Sequence, residues 1–170
     1  MVLIVTPLRR LPAVIAARAP SHLVSLLPPE EMIETPPGFA RERHLRLGMH
    51  DIPAPMPGLV VPDVAMVEAI LAFGRSWDAA APMVIHCFAG ISRSTASAFA
   101  IACERDPQAD ELEIALSMRR ASPSALPNRR IVALADDILG RQGRMIDAVE
   151  AMGGNGFVME GVPFDTPVRR

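Results

Sequence analysis

The chain has 170 residues and a mass of 18.3 kDa, with half of its residues hydrophobic and 21% charged, which suits one domain with a buried core and is short for two. All 17 basic residues are arginine and tyrosine is absent, which excludes lysine Schiff bases, pyridoxal anchors, phosphate loops of the GKS or GKT type and phenolic catalysis. A net charge of −2 and a pI near 6.1 argue against nucleic-acid and polybasic membrane partners, because both need a dense positive field.

The cysteines and histidines give no sign of a disulfide framework or a bound metal. Cys87 and Cys103 do not form a CxxC motif, and the four histidines are scattered without the spacing of zinc ligands. We therefore expect no cofactor and a reducing, cytoplasmic setting. No stretch approaches the roughly 18 apolar residues of a membrane span, and the apolar start of the chain lacks the leading positive charge of a secretory signal. The oligomeric state stays open.

The first part of the chain predicts three short strands. A β-branched run at residues 2–6 ends at a proline and predicts a buried strand, followed by a weak helix over residues 8–18. Residues 22–27 and 41–47 predict two further strands. Residues 30–40 between them are expected to be loop.

The middle of the chain predicts a loop, a helix, a central strand and a buried helix. Four prolines in residues 50–62 exclude helix and sheet interior, so this connector is expected to be loop. Asp63 follows as the predicted N-cap of a helix over residues 64–77. Residues 83–86 predict a strand without alternation, as in a parallel sheet covered on both faces. The uncharged stretch at residues 92–104 predicts a helix that is buried nearly all round.

The last third predicts helices and then an irregular end. Helices are expected at residues 110–120, at residues 127–139 and up to about residue 152. Strands that alternate with helices indicate an α/β fold. We expect a single domain over residues 1–152, with a central, mainly parallel sheet of four to five strands flanked by helices, and an irregular C-terminal tail over residues 153–170.

Residues 83–100, with the sequence MVIHCFAGISRSTASAFA, carry most of the chemical information. They predict a strand, a tight turn and a buried helix, which together bind anions because loop amides and a helix N-terminus point at one place. Gly90 permits the tight turn because it lacks a Cβ. Cys87 and Arg93 stand at the two ends of the turn, so both reach the same bound group. The predicted phosphate-binding residues are Phe88, Ala89, Gly90, Ile91, Ser92 and Arg93.

Cys87 is the predicted nucleophile of this turn. The amide dipoles, the helix N-terminus and the Arg93 guanidinium all favour the thiolate, which is the reactive form. The guanidinium can also clamp two phosphate oxygens through its planar fork. The turn therefore predicts a thiolate beside a bound phosphate.

The run from His86 to Ser94, HCFAGISRS, resembles the HCxxGxxRS signature of the cysteine-based protein tyrosine phosphatases, and it is most similar to their compact, dual-specificity-like branch. A cysteine and an arginine at this spacing are a weak signal alone. The added histidine, glycine and serine, on a strand, turn and helix, make the match specific. The resemblance extends over about residues 43–139 and includes the downstream segment RRASPSALPNRR.

The resemblance implies a two-step hydrolysis of a phosphomonoester. Cys87 attacks phosphorus to form a cysteinyl-phosphate, which water then hydrolyses, while Arg93 and the loop amides hold the phosphate oxygens. Ser94 donates a hydrogen bond to the Cys87 sulfur and eases its departure. For His86 two roles stay open: a supporting tie within the loop, or a satisfied core histidine at a strand end.

The general acid of this family is an aspartate on a loop upstream of the nucleophile, and Asp51 matches that placement, shortly after the predicted strand that ends at Leu47. Asp63 is the alternative, although its position predicts a helix cap. His50 beside Asp51 is a candidate for tuning or replacing it. The sequence lacks a Trp-Pro-Asp motif and has three prolines in residues 52–57, so we expect the acid loop to be held rather than to swing.

None of the variable residues of the turn is basic, whereas family members that act on phosphoinositides tend to carry lysine there. The resemblance therefore implies a phosphate on an organic, aromatic group, with protein phosphotyrosine as the leading substrate class. Phosphoserine, phosphothreonine and a small phosphoester are the alternatives. The arginine pairs at residues 119–120 and 129–130 either contact acidic residues around a phosphosite or lie in solvent near helix ends.

Two other classes of function remain open on the sequence. The first is a non-catalytic phosphate-binding module, which need not retain the set of Cys87, Arg93, Ser94 and Asp51. The second is a rhodanese or arsenate reductase, which does not need the Asp51 loop. A reductase requires a resolving thiol, and Cys103 is predicted to lie in the core beyond disulfide reach.

Overall fold

Five short segments of the computed structural model, which describes residues 1–154 and 158–168, pair into one sheet. The strand order is β3-β2-β4-β1-β5, in which β1 to β4 run parallel and β5 runs antiparallel to β1. This confirms the predicted α/β class with a mainly parallel sheet. The strands are β1 (Val2–Pro7), β2 (His22–Leu27), β3 (His44–Gly48), β4 (Met83–Cys87) and β5 (Phe164–Pro167).

The helices lie close to the predicted ranges. Short 3₁₀ turns at Leu8–Arg10 and Arg41–Arg43 replace the starts of the predicted helix at residues 8–18 and strand at residues 41–47. Pro12 explains the first difference, since it lacks an N–H and fits only the first turn of an α-helix. None of the helices in the described ranges is long and apolar enough to cross a membrane. The α-helices are α1 (Leu11–Arg18), α2 (Val64–Ser76), α3 (Arg93–Arg105), α4 (Glu111–Ala121), α5 (Arg129–Ile138) and α6 (Arg144–Met152).

Both faces of the central strands are buried, as the lack of alternation predicts. On one face, Leu11 and Val14 of α1 pack with Ile4, Leu23 and Val84. The opposite face carries the larger core, which includes side chains of α2 to α6. The largest fully buried members of that core include Trp77, Phe99, Ile70, Leu71 and Ile85.

Helix α3 runs through the middle of this larger core. Every residue from Arg93 to Cys103 is buried, because small side chains let neighbouring helices approach from several sides. At Gly74 of α2, an added Cβ would lie 3.0 Å from two side-chain carbons of Ile101. This close packing fixes the position of α3, the helix whose N-terminus follows the predicted phosphate loop.

The prediction of an irregular tail over residues 153–170 is wrong for Phe164–Pro167, which forms β5 at the sheet edge beside β1. The strand is only four residues long and contains both aspartate and proline, so its sequence carries little strand signal. Only Phe164 and Thr166 turn inward. Residues 155–157 and 169–170 of the predicted tail lie outside the described residues.

We expect Phe164→Ala to lower the free energy of unfolding by about 3 kcal/mol, because it empties a buried aromatic site in the core. Urea denaturation measures this change. Asp165→Ala is the matched control on the outward face of β5, where the exposed ion pair with Arg18 is worth under about 1 kcal/mol. If Phe164→Ala lowered the free energy of unfolding by no more than Asp165→Ala does, β5 would not be part of the cooperative domain.

Candidate active site

The predicted nucleophile lies at the carboxyl edge of the parallel sheet. Cys87 is the last residue of the central strand β4 and is 1% exposed. It is paired in register with Pro7 at the end of β1. The following residues, 88–92, form a loop that leads directly into α3 at Arg93. The structure therefore has the strand, loop and helix that the sequence predicts.

The carbonyl groups of this loop are bonded outward to three other segments. The backbone N–H of Leu8 donates to the Phe88 carbonyl at 3.1 Å, that of Gly161 to Ala89 at 2.8 Å, and that of Leu126 to Ile91 at 2.9 Å. By contrast, within residues 1–154 and 158–168, none of the amides of residues 88–92 donates to a backbone carbonyl. A loop with its carbonyls turned out and its amides free forms a concave anion site.

Gly90 is required by the packing beneath the loop. Its φ is +69°, and an added Cβ would lie 2.6 Å from the backbone nitrogen of Pro7 and 2.8 Å from the carbonyl carbon of Thr6. Both are backbone atoms and cannot move aside as the end of a side chain can. The end of β1 therefore presses directly against the loop and sets its curvature.

Arg93 is 5% exposed and is positioned by the upstream chain, since its Nη1 donates to the Met49 carbonyl at 2.7 Å. Its Nε is buried and has no hydrogen-bond partner among the described residues. Buried polar groups in proteins are nearly always paired. A guanidinium donor left unpaired at the start of α3 is a donor available to a bound oxyanion.

Ser94 reaches the predicted nucleophile. The Cys87 sulfur and the Ser94 hydroxyl oxygen are 3.2 Å apart, and both residues are buried. Because the hydroxyl can donate to a thiolate, this contact can stabilise the sulfur as it becomes negative. The structure thus places Ser94, from the first turn of α3, beside Cys87 at the end of β4.

Asp51 contacts the end of the loop that precedes Arg93. Its Oδ1 accepts hydrogen bonds from the Ser92 hydroxyl at 2.7 Å and from Nδ2 of Asn128 at 2.8 Å. The alternative acid, Asp63, accepts instead from the backbone N–H of Met66 and caps α2, as predicted. Of these two aspartates, Asp51 is the one that contacts the predicted phosphate loop.

Asn128 is a site residue that the sequence reasoning did not assign. Its Oδ1 accepts from the backbone N–H groups of Arg130 and Ile131 and caps α5, while its Nδ2 binds Asp51. The Pro-Asn pair before a helix indicates the cap alone. An amide side chain differs from an aspartate cap in keeping a donor, and that property is the sequence signal that could have indicated a second contact.

His50 fastens the loop that carries Asp51. Its backbone N–H donates to the Val60 carbonyl at 2.8 Å, and its Nδ1 accepts from the Val60 N–H at 3.0 Å. Its Nε2 lies 3.3 Å from a carboxylate oxygen of Glu30. These contacts close the proline-rich segment into a loop and engage both ring nitrogens of His50 away from Asp51.

His86 belongs to a buried hydrogen-bonded chain behind the nucleophile. The hydroxyl of Ser25 lies 2.6 Å from Nε2 of His86 and 2.8 Å from Nε2 of His44. Nδ1 of His44 lies 3.0 Å from the Thr35 hydroxyl, and Nδ1 of His86 lies 3.4 Å from the Cys87 carbonyl. The chain therefore links the nucleophile's backbone to the loop between β2 and β3.

The chain has one consistent direction. A carbonyl only accepts, so Nδ1 of His86 carries the hydrogen that points to Cys87, and Nε2 of His86 accepts from Ser25. Ser25 then accepts from Nε2 of His44, whose Nδ1 accepts from Thr35. Burial lowers the pKa of His86 and of His44 to about 4, so both rings are neutral near pH 7.

Arg119 and Arg130, one from each of the two arginine pairs in the sequence, have structural contacts with backbone carbonyls. Arg119 donates to the carbonyls of Met152, Pro123 and Gly153, and Arg130 donates to the carbonyl of Pro62, whereas Arg129 is exposed.

Cys103 is buried as predicted, and burial raises the pKa of its thiol to about 12. Within the described ranges, no three His, Cys, Asp or Glu side chains are grouped as metal ligands would be.

An open cleft of about 780 Å³ adjoins the loop. Asp51, Ser92 and Asn128 line one part of it, together with the loop residues Ala89 and Ile91. The rest is lined by Leu126, Pro127, Arg129, Val149, Glu150, Val158 and Met159, among others. The cleft is large enough for an organic group attached to a bound phosphate.

Solved structures show where this fold occurs, although no protein-family model and no curated protein matches the sequence. DUSP15 is 18% identical with a TM-score of 0.59, over 88% of this chain and 89% of that chain. Human DUSP28 is 19% identical with a TM-score of 0.62, over 82% and 92%. Tk-PTP in its active form is 19% identical with a TM-score of 0.52, over 78% and 86%. The chain has the fold of the compact, dual-specificity-like cysteine phosphatases.

The buried histidines predict acid destabilisation. A histidine with a pKa of about 4 when folded and 6.5 when unfolded binds more protons when unfolded, so its contribution to stability falls as pH drops from 6.5 towards 4. We expect His86→Asn, which keeps a donor near the Cys87 carbonyl, to remove part of this pH dependence. Urea denaturation of both proteins between pH 7 and pH 4.5 measures it, and parallel curves would contradict the assignment.

Proposed function

We propose that the chain is a cysteine-dependent phosphomonoester hydrolase of the protein-tyrosine-phosphatase type. The observation that carries this proposal is the loop over residues 88–92, whose carbonyls are bonded outward while the unpaired Nε of Arg93 lies at its end. This is a site built for a tetrahedral oxyanion, and Cys87 stands at its edge. A non-catalytic phosphate-binding module would need the loop but not the Cys87–Ser94 and Asp51 contacts.

In the first step, the Cys87 thiolate attacks phosphorus and the bond to the ester oxygen breaks. The loop amides and Arg93 bind the equatorial oxygens, where negative charge accumulates, and such fixed donors usually provide the largest share of catalysis. The product is a cysteinyl-phosphate and an alcohol. Arg93 is held in position by its bond to Met49, so it need not reorganise during the reaction.

Asp51 in its protonated form supplies the proton that the leaving oxygen needs. Both hydrogen bonds from Ser92 and Asn128 go to Oδ1, which favours carbonyl character at that oxygen and leaves Oδ2 to carry the proton. Two hydrogen bonds between His50 and Val60 close the loop that carries Asp51. The Asp51 carboxylate also accepts a hydrogen bond from the Ser92 hydroxyl. These contacts support an acid loop that is held rather than swung.

In the second step, water attacks the cysteinyl-phosphate. The Asp51 carboxylate takes a proton from the water, and the bond from phosphorus to sulfur breaks, releasing inorganic phosphate. The Ser94 hydroxyl, 3.2 Å from the sulfur, donates to the departing thiolate. The substrates we propose are phosphorylated proteins, with phosphotyrosine as the leading class, or small phosphoesters. Because the Cys87 thiol must stay reduced, a reducing compartment such as the cytoplasm suits the reaction.

We expect Cys87→Ser to abolish hydrolysis of p-nitrophenyl phosphate while the protein still binds phosphate, because the amides and Arg93 remain. Phosphate release and calorimetric titration with inorganic phosphate measure the two effects. Cys103→Ser is the control, since that thiol lies in the core. Turnover by the Cys87→Ser protein would exclude Cys87 as the nucleophile, and an inactive wild type that binds phosphate would make the chain a binding module.

We expect Asp51→Asn to reduce kcat on the order of 10² to 10⁴ for phenyl phosphate, whose leaving group is poor, and much less for p-nitrophenyl phosphate. Steady-state kinetics with both substrates measure the difference. Asp63→Asn is the matched control, since Asp63 caps α2 and does not contact the loop. Full activity of the Asp51→Asn protein on phenyl phosphate would show that another residue is the general acid.

A further inference from the structure

The chain returns to the nucleophile loop after α6. Residues 158–161, here called the strap, meet the loop where the Gly161 N–H donates to the Ala89 carbonyl at 2.8 Å. A Cβ at position 161 would lie 3.1 Å from the Gly90 carbonyl oxygen and 3.3 Å from the Ser124 hydroxyl. The strap therefore lies close against the loop, and a side chain at position 161 would fit only if its neighbours shifted slightly.

Two further contacts hold the strap on either side. Glu160 forms a bidentate ion pair with Arg9, whose Nη2 lies 2.8 Å from the carboxylate. Arg9 lies two residues after the end of β1, the strand whose end supports Gly90. On the other side the chain continues into β5, which pairs with β1. The strap is thus attached to the same strand that shapes the phosphate loop.

The strap forms part of the wall of the 780 Å³ cleft, and that wall is apolar and uncovered. Met159 is 83% exposed and Val158 is 45% exposed, and both line the cleft. Leu126, also in the wall, is 54% exposed. A ligand that covers such side chains removes apolar surface from water and binds more tightly for that reason.

The charges around the cleft restrict what can fill it. Arg129 is its one basic lining residue among those described, whereas Asp51 and Glu150 are acidic. A second phosphate or a run of acidic groups would meet two carboxylates and a single guanidinium. The cleft therefore suits an uncharged organic group better than a polyanion.

We propose that the strap and Leu126 form the binding site for the organic part of the substrate, and that this part is a bulky aromatic group joined to a single phosphate. The inference rests on the proposed function, because it uses the phosphate loop to fix one end of the ligand. Ala89, Ile91 and Ser92 belong to both the loop and the cleft wall, so the cleft adjoins the phosphate loop at these three residues. Met159 and Val158 are thus specificity-determining residues.

The test compares phenyl phosphate with 2-naphthyl phosphate, which adds a second ring. We expect Met159→Glu to raise KM for 2-naphthyl phosphate about tenfold, because a desolvated charge replaces an apolar contact, while KM for phenyl phosphate changes less than about twofold. The value of kcat should stay the same for both substrates. Val162→Glu is the matched control, since Val162 is 75% exposed in the same chain segment but does not line the cleft.

Equal changes for both substrates, no change for either, or the same selective change in Val162→Glu would overturn the proposal. If the wild type hydrolyses neither substrate, the proposed function fails and binding alone decides the inference. Calorimetric titration of 2-naphthyl phosphate into Cys87→Ser protein, with and without Met159→Glu, then gives the answer. Weaker binding caused by Met159→Glu supports the site, and unchanged binding rejects it. Thermal denaturation confirms that the variants are folded.

Discussion

The parallel pairing of β1 with β4 is the constraint on which the candidate site depends. Its register sets Pro7 beside Cys87, and the end of β1 then lies directly beneath Gly90. Because a Cβ at that glycine would meet backbone atoms, the loop has little choice of curvature. The outward carbonyls follow from that curvature. Sheet register, more than any side chain, therefore shapes the candidate anion site.

The polar side chains around the candidate site have defined hydrogen-bond partners, with one exception at Arg93 among the described residues. The neutral rings of His86 and His44 share Ser25 behind the nucleophile, and Asp51 takes two donors on one oxygen. Arg93 uses one nitrogen for the Met49 carbonyl, and its Nε has no partner in residues 1–154 and 158–168. Partnered groups rigidify the surroundings, whereas the unpaired donors collect where a phosphate is proposed to bind.

The sequence predicts the features that depend on neighbouring residues. The cap at Asp63, the buried helix α3 and the order of strand, loop and helix around Cys87 are all local patterns, and the structure contains them. Contacts that depend on sheet order were not predicted. Ser25 pairs in register with His86 only because β2 lies beside β4, and no local pattern reveals that neighbour. The bond between Asn128 and Asp51, and the edge strand β5, are equally non-local.

The three outward carbonyls of the phosphate loop have a consequence for folding. They are bonded to Leu8, Leu126 and Gly161, which lie near the start, in the later part and near the end of the described chain. Each of these contacts closes a long stretch of chain at an entropic cost. The curvature of the candidate phosphate loop is therefore a property of the completed fold rather than of residues 88–92 alone.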